Sequence, residues 1–261
     1  LIGGSVPATE HSVMCMGGED DEIGTFRRLV TQTYPSGIVS IVSDTWDFWR
    51  VVTEFAAALK PEILARTPDA LGNAKVVFRP DSGDPVKIIA GDPDAAPGSA
   101  EHKGAIECLW NVFGGTTTPQ GFRVLNPHVG MIYGDSITLD RASRILEALA
   151  AKGFASGNMV FGIGSYTYQH VTRDSFGTAI KATFGVVNGK DRVLFKAPKT
   201  DNGTKNSARG LLRVEQDGGH FVLHELQDRA GEREGVLQTV FEDGRMVRME
   251  GLSTLRRRLW G

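Results

Sequence analysis

Between residues 20 and 172, short apolar runs without polar alternation are separated by segments of helical periodicity, and this restricts the fold more than any other feature. IVSIV at 38–42, KVVF at 75–78, VGMIY at 129–133 and NMVF at 158–161 read as strands buried on both faces. Among the intervening helices, Ile23, Phe26 and Val30 share one face, and Phe48, Val52, Phe55 and Leu59 share another. Ile106, Leu109, Trp110 and Phe113 mark a third helix. A fourth runs through Leu139, Ala142, Leu146 and Leu149, with Thr138 as N-cap and Gly153 just past its end. Trp46, Trp49, Phe55, Trp110 and Phe113 are assigned to the core. The pattern predicts an α/β layer, a parallel sheet covered by helices.

The pattern changes near residue 177. Residues 1–177 carry 14 basic and 20 acidic side chains, whereas residues 178–261 carry 15 and 11, so the sign of the net charge reverses. Asn188-Gly189, Asp217-Gly218 and Asp243-Gly244 each sit between β-prone runs and supply the positive φ of tight hairpin turns. We therefore expect two domains, 1–177 of α/β type and 178–261 of antiparallel β type. The polar stretch 197–210, with Lys199, Lys205 and Arg209, reads as a loop.

Composition excludes several classes. Lys plus Arg is 29 against 31 for Asp plus Glu, which argues against a dedicated nucleic-acid binder. No apolar run approaches the roughly 18 to 20 residues of a membrane span. Cys15 and Cys108 alone cannot build a disulfide framework or a cysteine zinc site, and a cytoplasmic compartment fits this usage.

In parallel α/β folds, chemistry gathers beyond the carboxyl ends of the strands. Those positions hold Ser43-Asp44 with Asp47 close behind, Arg79-Pro80-Asp81-Ser82-Gly83, Gly134-Asp135-Ser136 and Gly162-Ile163-Gly164-Ser165. Each string alone is an ordinary turn or cap. Together, carboxylates, an arginine and small residues with open N–H groups describe a site for a phosphorylated sugar with a divalent metal. Four βα units fall short of the roughly eight of a closed barrel. With a chain that starts at Leu1 without an initiator methionine, we expect the C-terminal part of a longer enzyme.

SVPATEHS at 5–12, VSDTWD at 42–47, FRPDSGDP at 78–85, YGDSIT at 133–138, FGIGS at 161–165 and VTRD at 171–174 carry a family likeness. So do VVNG at 186–189, FKAP at 195–198 and TVFEDG at 239–244. In wording and order they resemble the second half of the nicotinamide and nicotinate phosphoribosyltransferase family, and the likeness covers most of the chain. The resemblance implies a type II phosphoribosyltransferase: part of an α/β barrel followed by an antiparallel β-rich domain, working as a homodimer with sites at the interface. It implies formation of nicotinamide mononucleotide and pyrophosphate from nicotinamide and 5-phosphoribosyl-1-pyrophosphate. Mg²⁺ would be held through the pyrophosphate with no direct protein ligand, and ATP would be a co-substrate acting through a phosphohistidine.

By the same likeness His11 stands at the phosphohistidine position, Arg79 meets the pyrophosphate and Asp81 the ribose hydroxyls. Gly134 and Asp135 hold the ribose side, while Gly164 and Ser165 offer N–H groups to the 5′-phosphate. Arg173, Lys181 and Lys205 match basic residues that reach phosphates. A lone histidine is ordinarily structural, but here Glu10 beside it and Asp47 in the next loop are expected to orient its ring. His102, His128, His170, His220 and His224 read as structural, with no zinc spacing. The alternatives are nicotinate as substrate, a sugar-phosphate aldolase or isomerase, and a non-catalytic dimerisation fragment. No strand ends in the lysine an aldolase needs. The ring-binding residues of the family are expected in the half preceding Leu1.

Overall fold

The computed structural model describes residues 5–164, 171, 175, 179–200 and 206–260. By compactness the chain forms two units, 1–207 and 208–261. In the first unit lie β1 (Val39–Val42), β2 (Val76–Arg79), β3 (Gly115–Thr117), β4 (Arg123–Leu125), β5 (Val129–Tyr133) and β6 (Met159–Phe161). β1, β2, β5 and β6 pair in parallel in that spatial order, with Val42 opposite Arg79 and Tyr133 opposite Phe161. A strand order that follows the sequence without reversal has no topological switch point; it is the order of barrel staves.

The predicted helices form where the periodicity places them. Phe48–Arg50 continues through a π turn at Val51–Phe55 into Ala56–Ala58, and Ala105–Phe113 and Leu139–Ala151 follow. Thr138 caps the last through its side chain, accepting from the Arg141 N–H at 3.3 Å, and Gly153 follows its end with a φ of 74°. Phe26, Ile41, Phe48, Phe78, Ile106, Leu109, Tyr133 and Phe154 make a fully buried core. Trp46, Phe55 and Phe113 are buried and Trp49 and Trp110 pack against that core, as the spacing predicts.

The leading segment is held beside β1. Thr9 N–H donates to Ser40 O and Ser40 N–H to Pro7 O, both at 2.9 Å. This parallel bridge carries the chain to the carboxyl end of the sheet, where helix His11–Gly17 begins.

Two features depart from the sequence reading. The short β3/β4 hairpin was not expected; its strands are three residues each, too short for a periodic signal. The three expected hairpins form, but as separate two-stranded ribbons. The first, β7 (Phe184–Val187) with β8 (Lys190–Val193), turns at Asn188-Gly189 and belongs to the first unit. The division therefore falls at Ser207/Ala208 instead of residue 177. Its physical reason is the segment after β8: Leu194 is buried, Ala197 N–H donates to Thr45 O at 3.1 Å and Lys199 N–H to Trp46 O at 2.8 Å. These bonds stitch residues 194–199 onto the loop that follows β1.

The second unit holds β9 (Leu211–Asp217) paired with β10 (His220–Gln227), β11 (Phe241–Glu242) paired with β12 (Arg245–Met246), and the helix Leu252–Trp260. The β9/β10 turn is Gly218-Gly219, both at positive φ, one residue later than Asp217-Gly218. Among the described residues no helix is long and apolar enough to cross a membrane.

Candidate active site

The loops after β1, β2, β5 and β6 open at one end of the sheet, because all four strands point the same way. His11 enters this rim from the leading segment. Its Nδ1 lies 3.0 Å from Thr45 Oγ1, and its Nε2 lies 3.2 Å from Asp81 Oδ1 and 2.8 Å from Lys196 Nζ. Lys196 also donates to Asp81 Oδ1 at 3.1 Å. An ammonium can only donate. With Lys196 charged, His11 Nε2 is the acceptor, and the ring proton sits on Nδ1, donated to Thr45.

Beneath this cluster lies Asp44, with no exposed surface. Its Oδ2 accepts from the Asp81 N–H at 3.0 Å and from the Ser82 hydroxyl; its Oδ1 is 3.8 Å from His11 Nε2. Burial pushes the Asp44 carboxyl above the usual carboxylate range, and the charge of Asp81 adds to the rise. Burial also opposes ionisation of Asp81, but the Lys196 ammonium at 3.1 Å acts against burial, and the carboxyl is held well below that range. Tyr133 donates to Gly83 O at 3.0 Å and so braces the Asp81 loop from β5; burial raises its phenol, which stays neutral. Cys15, one helical turn beyond His11, donates to Phe195 O at 3.0 Å. Burial raises its thiol to about 11, so it serves as a tie and not as a thiolate.

His11, Asp44 and Asp81 are close enough to suggest a metal. The donor set does not fit a protein-held Mg²⁺, which takes oxygen ligands. Here a ring nitrogen is one of the three groups, and the Lys196 ammonium already lies between His11 Nε2 and Asp81 Oδ1.

The structure brings together His11, Asp81 and, alongside, Arg79. The Arg79 guanidinium donates to Thr9 O and lies 3.5 Å from Glu10 Oε1. Glu10 thus faces Arg79 and not His11. Asp47 is engaged elsewhere, since it caps the helix at Phe48 by accepting from Arg50 N–H and pairs with Lys199 at 2.6 Å. The expected carboxylates beside the ring are replaced by Thr45, Asp44 and Asp81. Proximity in sequence misled, because Glu10 and His11 leave the chain in different directions.

Gly134 and Gly162 meet across the rim, where a Cβ on Gly162 would lie 2.6 Å from Gly134 Cα. Asp135 accepts from Ser136 Oγ at 3.3 Å. Gly164 is exposed with open space on its side-chain side, and Lys181 is exposed ahead of β7. Ser165, Arg173, Lys205 and His170 lie outside the described residues. His128 bonds Asn126 at 3.0 Å and His224 bonds Glu215 at 3.1 Å, in keeping with structural roles. Sequence reasoning placed Asp44 and Ser82 on the rim without giving them a role, and it missed Lys196, Thr45 and Thr200 as site residues. The available signal for Lys196 was a lysine directly after the apolar pair Leu194-Phe195.

A parallel layer accompanied by antiparallel ribbons agrees with the fold class of the phosphoribosyltransferases. The chain belongs to the nicotinate phosphoribosyltransferase (NAPRTase) family, whose pattern matches residues 1–245. It is 62% identical over 259 residues to a nicotinamide phosphoribosyltransferase of Acinetobacter baylyi, covering 99% of this chain and 51% of that protein. It is 38% identical over 214 residues to one of Mycoplasma pneumoniae, covering 80% and 46%, and 35% identical over 263 residues to one of Xanthomonas campestris, covering 98% and 52%. The chain spans about half the length of the curated relatives it matches.

Proposed function

We propose that this chain is the C-terminal half of a nicotinamide phosphoribosyltransferase that forms nicotinamide mononucleotide and pyrophosphate from nicotinamide and 5-phosphoribosyl-1-pyrophosphate in NAD salvage. The names of the relatives support the substrate, and the observation that carries the chemistry is the His11–Lys196–Asp81 cluster on the carboxyl rim. The enzyme works in the cytoplasm as a homodimer whose N-terminal half supplies the remaining barrel strands and the nicotinamide site.

Breaking the C1–O bond builds positive charge on the ribose and negative charge on the pyrophosphate, so cations must serve the second without quenching the first. Arg79 meets the pyrophosphate, and Mg²⁺ accompanies that group as its counter-ion. Asp81, Gly134 and Asp135 hold the ribose hydroxyls. Gly164 and Ser165 give N–H groups to the 5′-phosphate, while Arg173, Lys181 and Lys205 match basic residues that reach phosphates.

ATP acts through His11. The Nε2 lone pair attacks the γ-phosphorus, an N–P bond forms, and ADP leaves with the electron pair of the broken P–O bond. Nδ1–H stays on Thr45 throughout, so no proton has to be removed first.

The test is His11→Ala in the full-length protein. ATPase activity and ATP stimulation should vanish while slow phosphoribosyl transfer to nicotinamide persists, and an acid-labile phosphate on the wild type should be absent from the variant. ATPase unchanged in the variant refutes the role of His11. Faster turnover of nicotinate than of nicotinamide refutes the substrate.

A further inference from the structure

The two oxygens of Asp44 are unequally served. Oδ2 accepts two hydrogen bonds, from Asp81 N–H and Ser82 Oγ, whereas Oδ1 has no hydrogen-bond partner among the described residues and faces His11 Nε2. Ser82 is itself fully buried, and its hydroxyl carries one proton. That proton goes to Asp44. In its second contact, with Thr200 Oγ1, Ser82 is therefore the acceptor and Thr200 the donor.

The result is a directional chain of hydroxyls, Thr200 to Ser82 to Asp44. Its far end rides on the segment that delivers Lys196, the segment tied to β1's loop through Ala197 and Lys199. The fit is close. Gly83 has a φ of 83°, and a Cβ there would lie 2.5 Å from Thr200 O, so only glycine lets the Asp81 loop and this segment meet.

We propose that Ser82 and Thr200 are positioning residues for the His11 chemistry: their hydroxyl chain turns Asp44 Oδ1 toward His11 only when the segment bearing Lys196 is seated on the Asp81 loop. The ammonium and the oriented carboxylate thus reach His11 together. The ammonium keeps Nε2 as an acceptor before transfer, and the carboxylate stands against the positive charge the ring gains when N–P forms. Burial favours the neutral form of Asp44, as does the charge of Asp81, and the Ser82 hydroxyl and Asp81 N–H favour the ionised form. The proposal rests on the reading of His11 as the phosphate acceptor.

Thr200→Val keeps the shape and removes the donor; Thr200→Ser restores it. Both are made in full-length protein, in wild-type and His11→Ala backgrounds, with thermal melts to confirm folding. The readouts are acid-labile phosphate formed from ATP, and kcat and KM for nicotinamide mononucleotide formation. Thr200→Val should slow phosphate incorporation about three- to tenfold with little change in KM, and Thr200→Ser should recover it. In the His11→Ala background Thr200→Val should add nothing to the residual rate, the mark of a residue acting through His11. Equal losses in both backgrounds, or wild-type behaviour of Thr200→Val, overturn the positioning role while leaving His11 in place. A wild type that forms no acid-labile phosphate, with His11→Ala unimpaired, overturns the reading of His11 and the positioning pair with it.

Discussion

Lys196 Nζ stands 2.8 Å from His11 Nε2, although 185 positions separate the two residues in sequence. The contact decides which ring nitrogen carries the proton, because the ammonium offers only donors. It also places a buried cation against Asp81, whose Oδ1 receives the same ammonium at 3.1 Å.

Removing that ammonium should invert the ring. In Lys196→Met the Asp81 carboxylate loses its ammonium donor, and His11 Nε2, 3.2 Å away, is left to donate to it, which takes the lone pair from Nε2. Formation of acid-labile phosphate from ATP should then fall about tenfold or more. The rate of phosphate incorporation in the variant and the wild type measures this, and equal rates refute it.

Arg79→Ala should abolish turnover with little loss of stability. Its side chain contacts the Thr9 carbonyl and Glu10, and an ion pair whose carboxylate is solvent-exposed contributes only about 0–1 kcal/mol. Loss of a charge-assisted contact to pyrophosphate costs about 2–5 kcal/mol. Steady-state kinetics of the full-length protein should show the loss, with an unchanged melting temperature as control. Near-normal kcat/KM contradicts the assignment.

Glu22 predicts a pH-dependent stability. Burial, with the charge of Asp47 adding to it and Arg50 opposing, raises its carboxyl to about 8. The folded chain then keeps a proton that the unfolded chain releases above the ordinary glutamate value. Stability attributable to this group therefore falls as pH rises between those two values. Relative to Glu22→Gln, wild type should lose about 2–4 kcal/mol between about pH 5 and about pH 8. Denaturant melts at the two pH values test this, and parallel curves for both proteins contradict it.

Residues 1–261 alone should not catalyse the reaction. β6 pairs only with β5 among the described strands, and Val160 within it and Ile163 just past its end are 57% and 67% exposed. An apolar strand edge of this kind associates or aggregates unless another segment covers it. Activity should return when the N-terminal half is supplied in the same chain or separately. Mass in solution and nicotinamide mononucleotide formation are the measurements, and an active monomer of these residues alone overturns the expectation.

Local patterns carried the fold a long way. The runs at 38–42, 129–133 and 158–161 contain β1, β5 and β6, and the run at 75–78 covers β2 up to its last residue, Arg79, because strands in a helix-covered parallel sheet are largely apolar; in β6 only Val160 is exposed. Asn188-Gly189 and Asp243-Gly244 marked their turns, since few other pairs tolerate positive φ. The β3/β4 hairpin stayed hidden because Gly115–Thr117 is exposed along its length and leaves no hydrophobic pattern.

Arg79 and Asp81 were legible because their string sits at a strand end, and a parallel sheet sends all such ends to one rim; His11, in the leading segment, was reached through the family resemblance. The sequence by itself therefore determined the layer, its direction and the rim on which the candidate site lies. Only the tertiary structure decided the partners on that rim: Lys196, Thr45 and Asp44 around His11, Arg79 in front of Glu10, and Asp47 on Lys199. The reason is range. Periodicity and turn chemistry act over a few residues, whereas the bonds that seat residues 194–199 on the loop after β1 join segments about 150 residues apart, a pairing set by backbone hydrogen bonds that any side-chain sequence can make.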